Sequence, residues 1–305
     1  MRTTTVASII IPAYQSSGVI SHCLQGLRQQ SYAEFELIVV NSSPDMETAQ
    51  RVQQAFPKAC YVQSERRLLP CAARNRGAAF ARGEILVFTD PDCRPHPDWL
   101  ARLVAAHAQG HPVVGGGIDT VGRYKEQAIH MAKFGWWLPG GDARPCFDLA
   151  TANSSYARRL WQQYGPFVEH RYCADSDLNW RLRQAGYPLW FEPRAVVWHH
   201  HDAGWKRALN ERWQRGHDYG LARAAQRNWR FRCGLAALGF PLVPWLITGR
   251  SLRNAVQAGR LRQWMLTLPF HFMCQWAWAL GELHAHMQVF SGNAPEHFIK
   301  CKGNG

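Results

Sequence analysis

The sequence predicts an α/β fold: a mostly parallel sheet with flanking helices, followed by a separate helical region. Three features predict it. Short β-branched runs alternate with helically spaced apolar residues over the first third of the chain. Those runs are apolar throughout, as strands covered on both faces are. From residue 203 the character changes to basic helical stretches punctuated by tryptophan.

Taken in order, Val6–Ile11 is a buried strand ended by Pro12-Ala13-Tyr14. Gly18–Gln30 carries Val19, Ile20, Cys23, Leu24 and Leu27 at helical spacing. Phe35–Val40 is a second buried strand that closes on Asn41-Ser42-Ser43-Pro44-Asp45. Met46–Phe56 reads as helix, Ala59–Val62 as a short third strand, and the Ala-rich Cys71–Arg82 as helix. Gly83-Glu84 turns into a fourth strand, Ile85–Thr89, which empties into Asp90-Pro91-Asp92. Ligands of such sheets bind outside the carboxyl ends of the strands. The loops Pro12–Ser17, Asn41–Asp45 and Asp90–Cys93 are therefore expected to converge on one crevice.

Between about residues 119 and 202 the alternation breaks down. Trp136-Trp137, the Gly140-Gly141 turn and the helical run Asp175–Ala185 suggest a second lobe over the crevice. The expected organisation is a ligand-binding half over 1–118, a second half over 119–202, and a helical region over 203–305.

Composition narrows the function. The 305 residues are 47% apolar and 19% charged, which excludes disordered, collagen-like, coiled-coil and small disulfide-stapled classes. Lys plus Arg is 35 against 22 Asp plus Glu, a net +13. That balance suits phosphate-bearing small molecules, an anionic membrane surface or nucleic acid. The basic residues gather around the apolar tail and no nucleic-acid motif appears, so no nucleic-acid partner is expected. Nine scattered cysteines form no C-x-x-C pair and read as reduced thiols, mostly small buried hydrophobes. The N-terminal apolar run is strand-length and lacks a small-residue cleavage site, so no signal peptide is expected.

Two tail segments bear on membranes. Cys233–Gly249 is short and broken by Pro241 and Pro244; Gln263–Gly281 has no Asp, Glu, Lys or Arg but contains His271, Gln275 and Pro269. A spanning helix needs roughly 20 predominantly apolar residues. Arg223, Arg227, Arg230 and Arg232 precede the first segment, and Arg250, Arg253, Arg260 and Arg262 lie between the two. Apolar bodies, tryptophans and a basic collar describe interfacial helices or a shallow hairpin. The competing reading is an ordinary buried helical subdomain.

Several side chains carry chemistry. Asp90 and Asp92, at the end of a buried strand, can share a hard cation or form a solvated turn. Arg74 can pair with phosphate and Asn75 with a ribose or sugar; both also suit an ordinary surface helix. Asp175 and Asp177 open a helical run, where one can cap the helix while the other acts as general base. His199 and His201 alternate at a strand end, so both can reach one site and complete a divalent metal's coordination. Trp136 and Trp137 can stack on a sugar, line a lipid groove or pack in the core.

The ordered series Ser-Ile-Ile-Ile-Pro-Ala-Tyr (8–14), Glu-Leu-Ile-Val-Val-Asn-Ser-Ser (36–43), Ala-Arg-Asn-Arg-Gly (73–77), Gly-Glu-Ile-Leu-Val-Phe-Thr-Asp-Pro-Asp-Cys (83–93) and Ala-Asp-Ser-Asp-Leu-Asn-Trp-Arg-Leu (174–182) resembles the family-2 glycosyltransferases of the GT-A fold. The likeness runs from about residue 6 to 202. It implies a Rossmann-like domain that transfers a hexose-like sugar from a nucleotide-sugar donor, most often with inversion. Pro12, Ala13 and Tyr14 would hold the nucleoside, and Arg74 and Asn75 would contact the donor. Asn41 falls where the family usually has an Asp that reads the base or ribose. Asp90 and Asp92 match the D-x-D that holds Mg²⁺ or Mn²⁺ against the diphosphate. The family's Glu-Asp pair reads Ala174-Asp175 here, which makes Asp175 the expected base and Asp177 the runner-up.

Arg212-Trp213 matches the end of the Q-x-x-R-W of processive synthases, but Leu209 replaces its Gln, so single transfer is expected. The tail, with Gly281-Glu282, resembles bacterial membrane-associated relatives. It implies a lipid-linked or cell-envelope glycan acceptor at the cytoplasmic face of the inner membrane. Two alternatives stand beside this reading: another nucleotide-dependent transferase such as a nucleotidyltransferase, or a non-catalytic membrane-associated scaffold of the same fold.

Overall fold

The computed structural model describes residues 6–169, 173–201, 204–225 and 239–293. The chain divides into two compact units, one formed by Met1–Val121, Trp137–His170 and Ala174–His201, the other by Gly122–Trp136, Arg171–Cys173 and Asp202–Gly305.

The first unit is built on a nine-stranded sheet. Strand β1 (Ala7–Ala13) lies between β2 (Phe35–Asn41) and β4 (Ile85–Thr89) and runs parallel to both; β3 (Cys60–Gln63) extends the parallel run beyond β2. Ile9, Ile10, Ile11, Ile38, Val39, Val40, Val87 and Phe88 are all sealed from solvent, which explains why these strands read as continuous apolar runs. Helices α1 (Ile20–Arg28), α2 (Met46–Ala55) and α3 (Pro70–Phe80) fill the crossovers. Asp45 caps α2 by accepting from Thr48 N, and Pro70 opens α3, where its missing N–H costs nothing. Gly77 lets α3 close on the sheet, because a Cβ there would meet Ile10 Cγ2 at 2.6 Å.

Beyond β4 the sheet becomes mixed. The remaining elements are β5 (Cys93–Pro95), α4 (Trp99–Ala108), β6 (Val113–Asp119), β7 (Arg144–Cys146), β8 (Asn153–Ala157), α6 (Arg158–Tyr164), α7 (Ala174–Gln184) and β9 (Leu189–His199); α5 (Tyr124–Phe134) belongs to the second unit. Strand β8 inserts antiparallel between β4 and β6, while β6 and β9 are parallel with an irregular register between Gly116 and Ile118. Asn153 fills that irregularity. Its Nδ2 donates to Gly117 O (2.9 Å) and Ala195 O (2.8 Å), and its Oδ1 accepts from Trp99 Nε1 (2.8 Å). A side chain at Gly116 would meet Ala195 O at 2.0 Å. The run Gly115-Gly116-Gly117 thus hides a buried strand from any reading of apolar alternation.

The second unit contains α5, α8 (Trp205–Ala225), a 3₁₀ turn (Phe240–Leu242), α9 (Val243–Gln257) and α10 (Leu261–Phe290). Ala128, Ile129, Ala132, Ala208, Phe270 and Cys274 form its apolar cluster. Helices α8 and α10 meet through glycine: a Cβ on Gly216 would lie 2.1 Å from Trp278 O, and one on Gly281 2.1 Å from Trp213 O. The distribution of polarity on α10 is inverted. Thr267, His271, Gln275, Glu282 and His286 are buried, whereas Met265, Leu266, Met273, Leu280, Met287 and Phe290 are exposed. Two of the buried groups pair with arginines: Arg212 Nη2 donates to Gln275 Oε1 (2.9 Å) and Arg223 Nη1 to Glu282 Oε1 (2.6 Å). Among the described residues no helix is long and apolar enough to cross a membrane. Residues 233–238 of the first apolar tail segment, and 203 and 226–230 of the basic helical stretch expected over 203–230, lie outside the described residues.

Candidate active site

The carboxyl ends of β1, β2 and β4 carry the three loops expected to converge. Pro12 and Ala13 pair in register with Val40 and Asn41, and all four are buried. Just beyond them Tyr14 is 37% exposed, with the Arg67 guanidinium 4.4 Å from its ring centroid, a cation–π contact. Gln15, at φ 50°, adopts the left-handed conformation and donates its N–H to Ser43 Oγ (2.9 Å), tying the first loop to the second.

Asn41 is fully buried and spends its amide inside this second loop. Its Oδ1 accepts from Ser43 Oγ (2.8 Å), and its Nδ2 donates to Ser43 O (3.1 Å) and Gln63 Oε1 (3.3 Å). A carboxylate could accept but not donate, so it could not make both sets of bonds. Asn75 is similarly committed: it exchanges hydrogen bonds with the Phe167 backbone (2.8 and 2.9 Å) and donates to Glu169 Oε1 (3.1 Å).

The two carboxylates of Asp90-Pro91-Asp92 have different partners. Asp90 Oδ1 accepts from Arg74 Nη2 in an ion pair, with the Arg74 side chain 5% exposed. Burial alone would favour a neutral Arg74, but the Asp90 charge outweighs it and raises the guanidinium's pKa, with Asp175 adding in the same sense. Asp92 instead faces β9. Its Oδ2 lies 3.6 Å from His199 Nε2, because β5 and β9 are antiparallel with Cys93 opposite His199. The His201 ring stacks on His199 at 4.5 Å between centroids.

Asp92, Cys93 and His199 bring an oxygen, a sulfur and a nitrogen within 4.8 Å of one another. Burial, then the charges of Asp92 and Asp90, push the Cys93 thiol well up, so it is a neutral SH group. A carboxylate oxygen and an imidazole nitrogen side by side are a donor set that suits Mn²⁺ or Mg²⁺, the imidazole favouring the former. These residues fit a divalent cation. The sequence reading took the cysteines as core hydrophobes and did not single out Cys93.

Asp175 stands in the first turn of α7. Its Oδ2 accepts from Thr151 N (3.3 Å) and its Oδ1 from Ser176 N (3.0 Å). Asp177 faces elsewhere: it pairs with Arg181 (Nε–Oδ2 3.1 Å), whose guanidinium also donates to the carbonyls of Tyr164 and Pro166. Ala174 is completely buried in the apolar core with Leu178 and Leu182.

Sequence reasoning missed Asp148. It accepts from Ser176 Oγ (2.6 Å), Asn179 Nδ2 (2.6 Å) and Leu149 N (2.9 Å), and burial followed by the Asp175 charge raises its pKa to about 7. The only signal was an acid between Phe147 and Leu149, ahead of a buried strand. The tryptophan pair divides between the units. The Trp137 indole donates to Asp148 O (2.9 Å) and packs against the core of the first, whereas Trp136 lies in the second under Arg250, 5.9 Å from its ring centroid.

A family model described as "Glycosyl transferase family 2" matches residues 8–158. Glycosyltransferase AglE of Haloferax volcanii is 29% identical over 220 residues, covering 65% of this chain and 67% of that protein. The uncharacterized glycosyltransferase YfnE of Bacillus subtilis is 35% identical over 183 residues, with 56% of this chain and 44% of YfnE aligned. The chain spans 57% of a further Bacillus subtilis relative, the probable glycosyltransferase YdaM, at 24% identity. Among solved structures, the Pyrobaculum calidifontis mannosyltransferase PcManGT, in complex with GDP-Man and Mn²⁺, superposes with a TM-score of 0.60 at 21% identity. That match covers 95% of this chain and 88% of PcManGT. GalNAc-T7 with UDP, GalNAc and Mn²⁺ gives 0.54 at 14% identity, covering 66% of this chain and 45% of that one. At these identities the structural likeness establishes the GT-A fold.

Proposed function

The chain belongs to the family-2 glycosyltransferases, and from that premise we propose that it moves a sugar from a nucleotide-sugar donor to a hydroxyl acceptor, inverting the anomeric centre. The observation that carries this reading is the gathering of Arg74, Asp90, Asp92 and His199 at the strand ends, with Asp175 close enough to influence the Arg74 charge.

Asp92 and His199 would hold Mg²⁺ or Mn²⁺, with Asp90 and His201 beside them. When bound, the cation neutralises charge that develops on the departing nucleoside diphosphate. Arg74 serves the same end from the protein side. Its charge is locked by Asp90, so it presents fixed positive charge to the diphosphate without reorganising as the bond breaks. Asp175 takes the proton of the acceptor hydroxyl, a step that typically contributes 10²–10⁴-fold. Thr151 and Ser176 hold both of its oxygens in place, and no covalent sugar–enzyme intermediate is needed. Tyr14 offers a ring for the nucleoside, while Asn41 and Asn75 shape the crevice by bracing its loops.

Helix α10 of the second unit carries an apolar outer surface. Its exposed Met265, Leu266, Met273, Leu280, Met287 and Phe290, with Trp245, Leu246 and Val256 exposed on α9 and arginines nearby, suit contact with lipid acyl chains and anionic headgroups. That surface supports a peripheral or monotopic position on the inner face of the plasma membrane, with a lipid-linked or envelope glycan as the proposed acceptor.

The test is thermal stability against a panel of nucleoside diphosphates, GDP and UDP first, with and without Mn²⁺. A ligand at 100 times its Kd adds roughly 2.7 kcal/mol. A shift with one nucleotide that requires Mn²⁺ names the donor class. Absence of any shift in folded protein favours the non-catalytic scaffold, a reading that Ala174 supports.

A further inference from the structure

The segment from Asp148 to Thr151 clasps the first turn of α7 from both ends. At one end Asp148 accepts from Ser176 Oγ and Asn179 Nδ2; at the other Thr151 donates to Asp175. Asn179 extends the network, donating also to Leu149 O (3.0 Å) and accepting from Tyr156 OH (3.0 Å), and the Trp137 indole pins the Asp148 carbonyl. Two carboxylates therefore sit together at the start of one helix, one from α7 and one from the loop after β7. Position 174, where the family usually has Glu, is instead an alanine sealed in the core.

We propose that Asp148 is a positioning residue for Asp175: through Ser176 and Asn179 it fixes the turn that aims the base. The inference rests on the transferase reading for its consequence but not for its geometry. Burial and the Asp175 anion beside it both make the Asp148 carboxyl harder to ionise. The charged and titratable groups around the pair are Arg74 on α3, Tyr156 on β8, and Cys146 on β7 with its neighbours Arg144 and Arg183. Tyr156 and Cys146 are both driven up by burial and stay neutral across the range in question. Arg74 stays cationic, so the pair's own charges change alone.

The experiment is a ¹³C NMR titration of the full chain labelled with [4-¹³C]aspartate, comparing wild type with Asp148→Asn, Asp175→Asn and Ser176→Ala. In the wild type one aspartate carbon titrates near pH 7, and its signal disappears in Asp148→Asn. In that variant the Asp175 carbon, assigned through Asp175→Asn, changes its chemical shift and broadens, because the turn that holds it is released. If Asp148→Asn fails to fold, Ser176→Ala carries the test: losing its hydrogen bond to Asp148 displaces the Asp175 carbon signal in the same way. An Asp175 signal unchanged in both variants overturns the proposal. Where the nucleotide panel identifies a donor, kcat in Asp148→Asn falls with KM for the donor unchanged. A displaced Asp175 signal in a chain that binds no nucleotide would leave this inference standing while the transferase reading fails.

Discussion

Asp92 Oδ2 and His199 Nε2 lie 3.6 Å apart, joined by the antiparallel pairing of a three-residue strand with the last strand of the sheet. Asp90, two residues earlier, turns to Arg74 instead. The two carboxylates of one short motif thus have separable duties. Asp90→Ala leaves a buried guanidinium without its counter-ion and is expected to cost about 3 kcal/mol, read as a lower denaturation midpoint. Asp92→Ala and His199→Ala are expected to cost less stability but to abolish the Mn²⁺-dependent part of nucleotide stabilisation.

Asp175→Asn keeps the shape of the side chain and removes its basicity. Turnover should fall 10²–10⁴-fold with KM for the donor nearly unchanged, which steady-state kinetics on the donor identified by the panel would measure. Asp177→Asn, which breaks the ion pair with Arg181, should lower stability and leave the pH profile in place.

His107 is buried beside Ser155, with its Nε2 2.9 Å from Ser155 Oγ, and burial lowers its pKa from 6.5 to about 4. The unfolded chain therefore binds a proton before the folded one does. Stability from this residue is complete above pH 6.5 and is lost as pH falls toward 4, by about 3 kcal/mol. Burial holds His271 and His286 down to about 4 as well, so they add losses in the same window. Urea midpoints at pH 7 and pH 5 should differ, and His107→Gln should narrow the difference.

The first half of the fold was legible because each strand announces itself as an apolar run and each helix as a spaced stripe. The structural elements from Ala7 to Thr89 fall within one or two residues of expectation. Strand β6 was not legible, since Gly115-Gly116-Gly117 carries no side chains and is specified by the Asn153 amide from another strand. Asp90, Asp92, Asp175 and His199 were singled out from motif and position, and the structure sets Asp90 against Arg74 and Asp92 beside His199. Their partners could not be found that way, because Arg74, Thr151 and Asp148 reach them through tertiary packing rather than spacing. Asn41 was legible as a departure from family pattern, but its occupation by Ser43 and Gln63 was not.

Gly281 admits Trp213 O into the space its side chain would fill, at 2.1 Å from an ideal Cβ. Gly281→Ala should push α8 from α10 and cost about 1–3 kcal/mol, visible as a lower Tm. Gly249→Ala on α9, where nothing lies within 4 Å, is the control and should be neutral or slightly stabilising.

The inverted polarity of α10 sets an expectation for lipid binding. The double variant Leu266→Glu, Met273→Glu should reduce co-sedimentation with vesicles containing phosphatidylglycerol, with nucleotide stabilisation intact. Unaltered co-sedimentation would remove α10 from the lipid contact.

The pairing of Cys93 with His199 also makes the site an indicator of chain completeness. In an antiparallel ladder a slip of one position reverses every side chain, so His200 would replace His199 beside Asp92. During synthesis the loops that precede Asp92 emerge early, but the imidazole arrives only when the last strand of the sheet has docked in register. A stalled or truncated product ending before His199 would carry the strand-end loops without the imidazole that stands beside Asp92, so a half-made protein would lack that part of the proposed cation site.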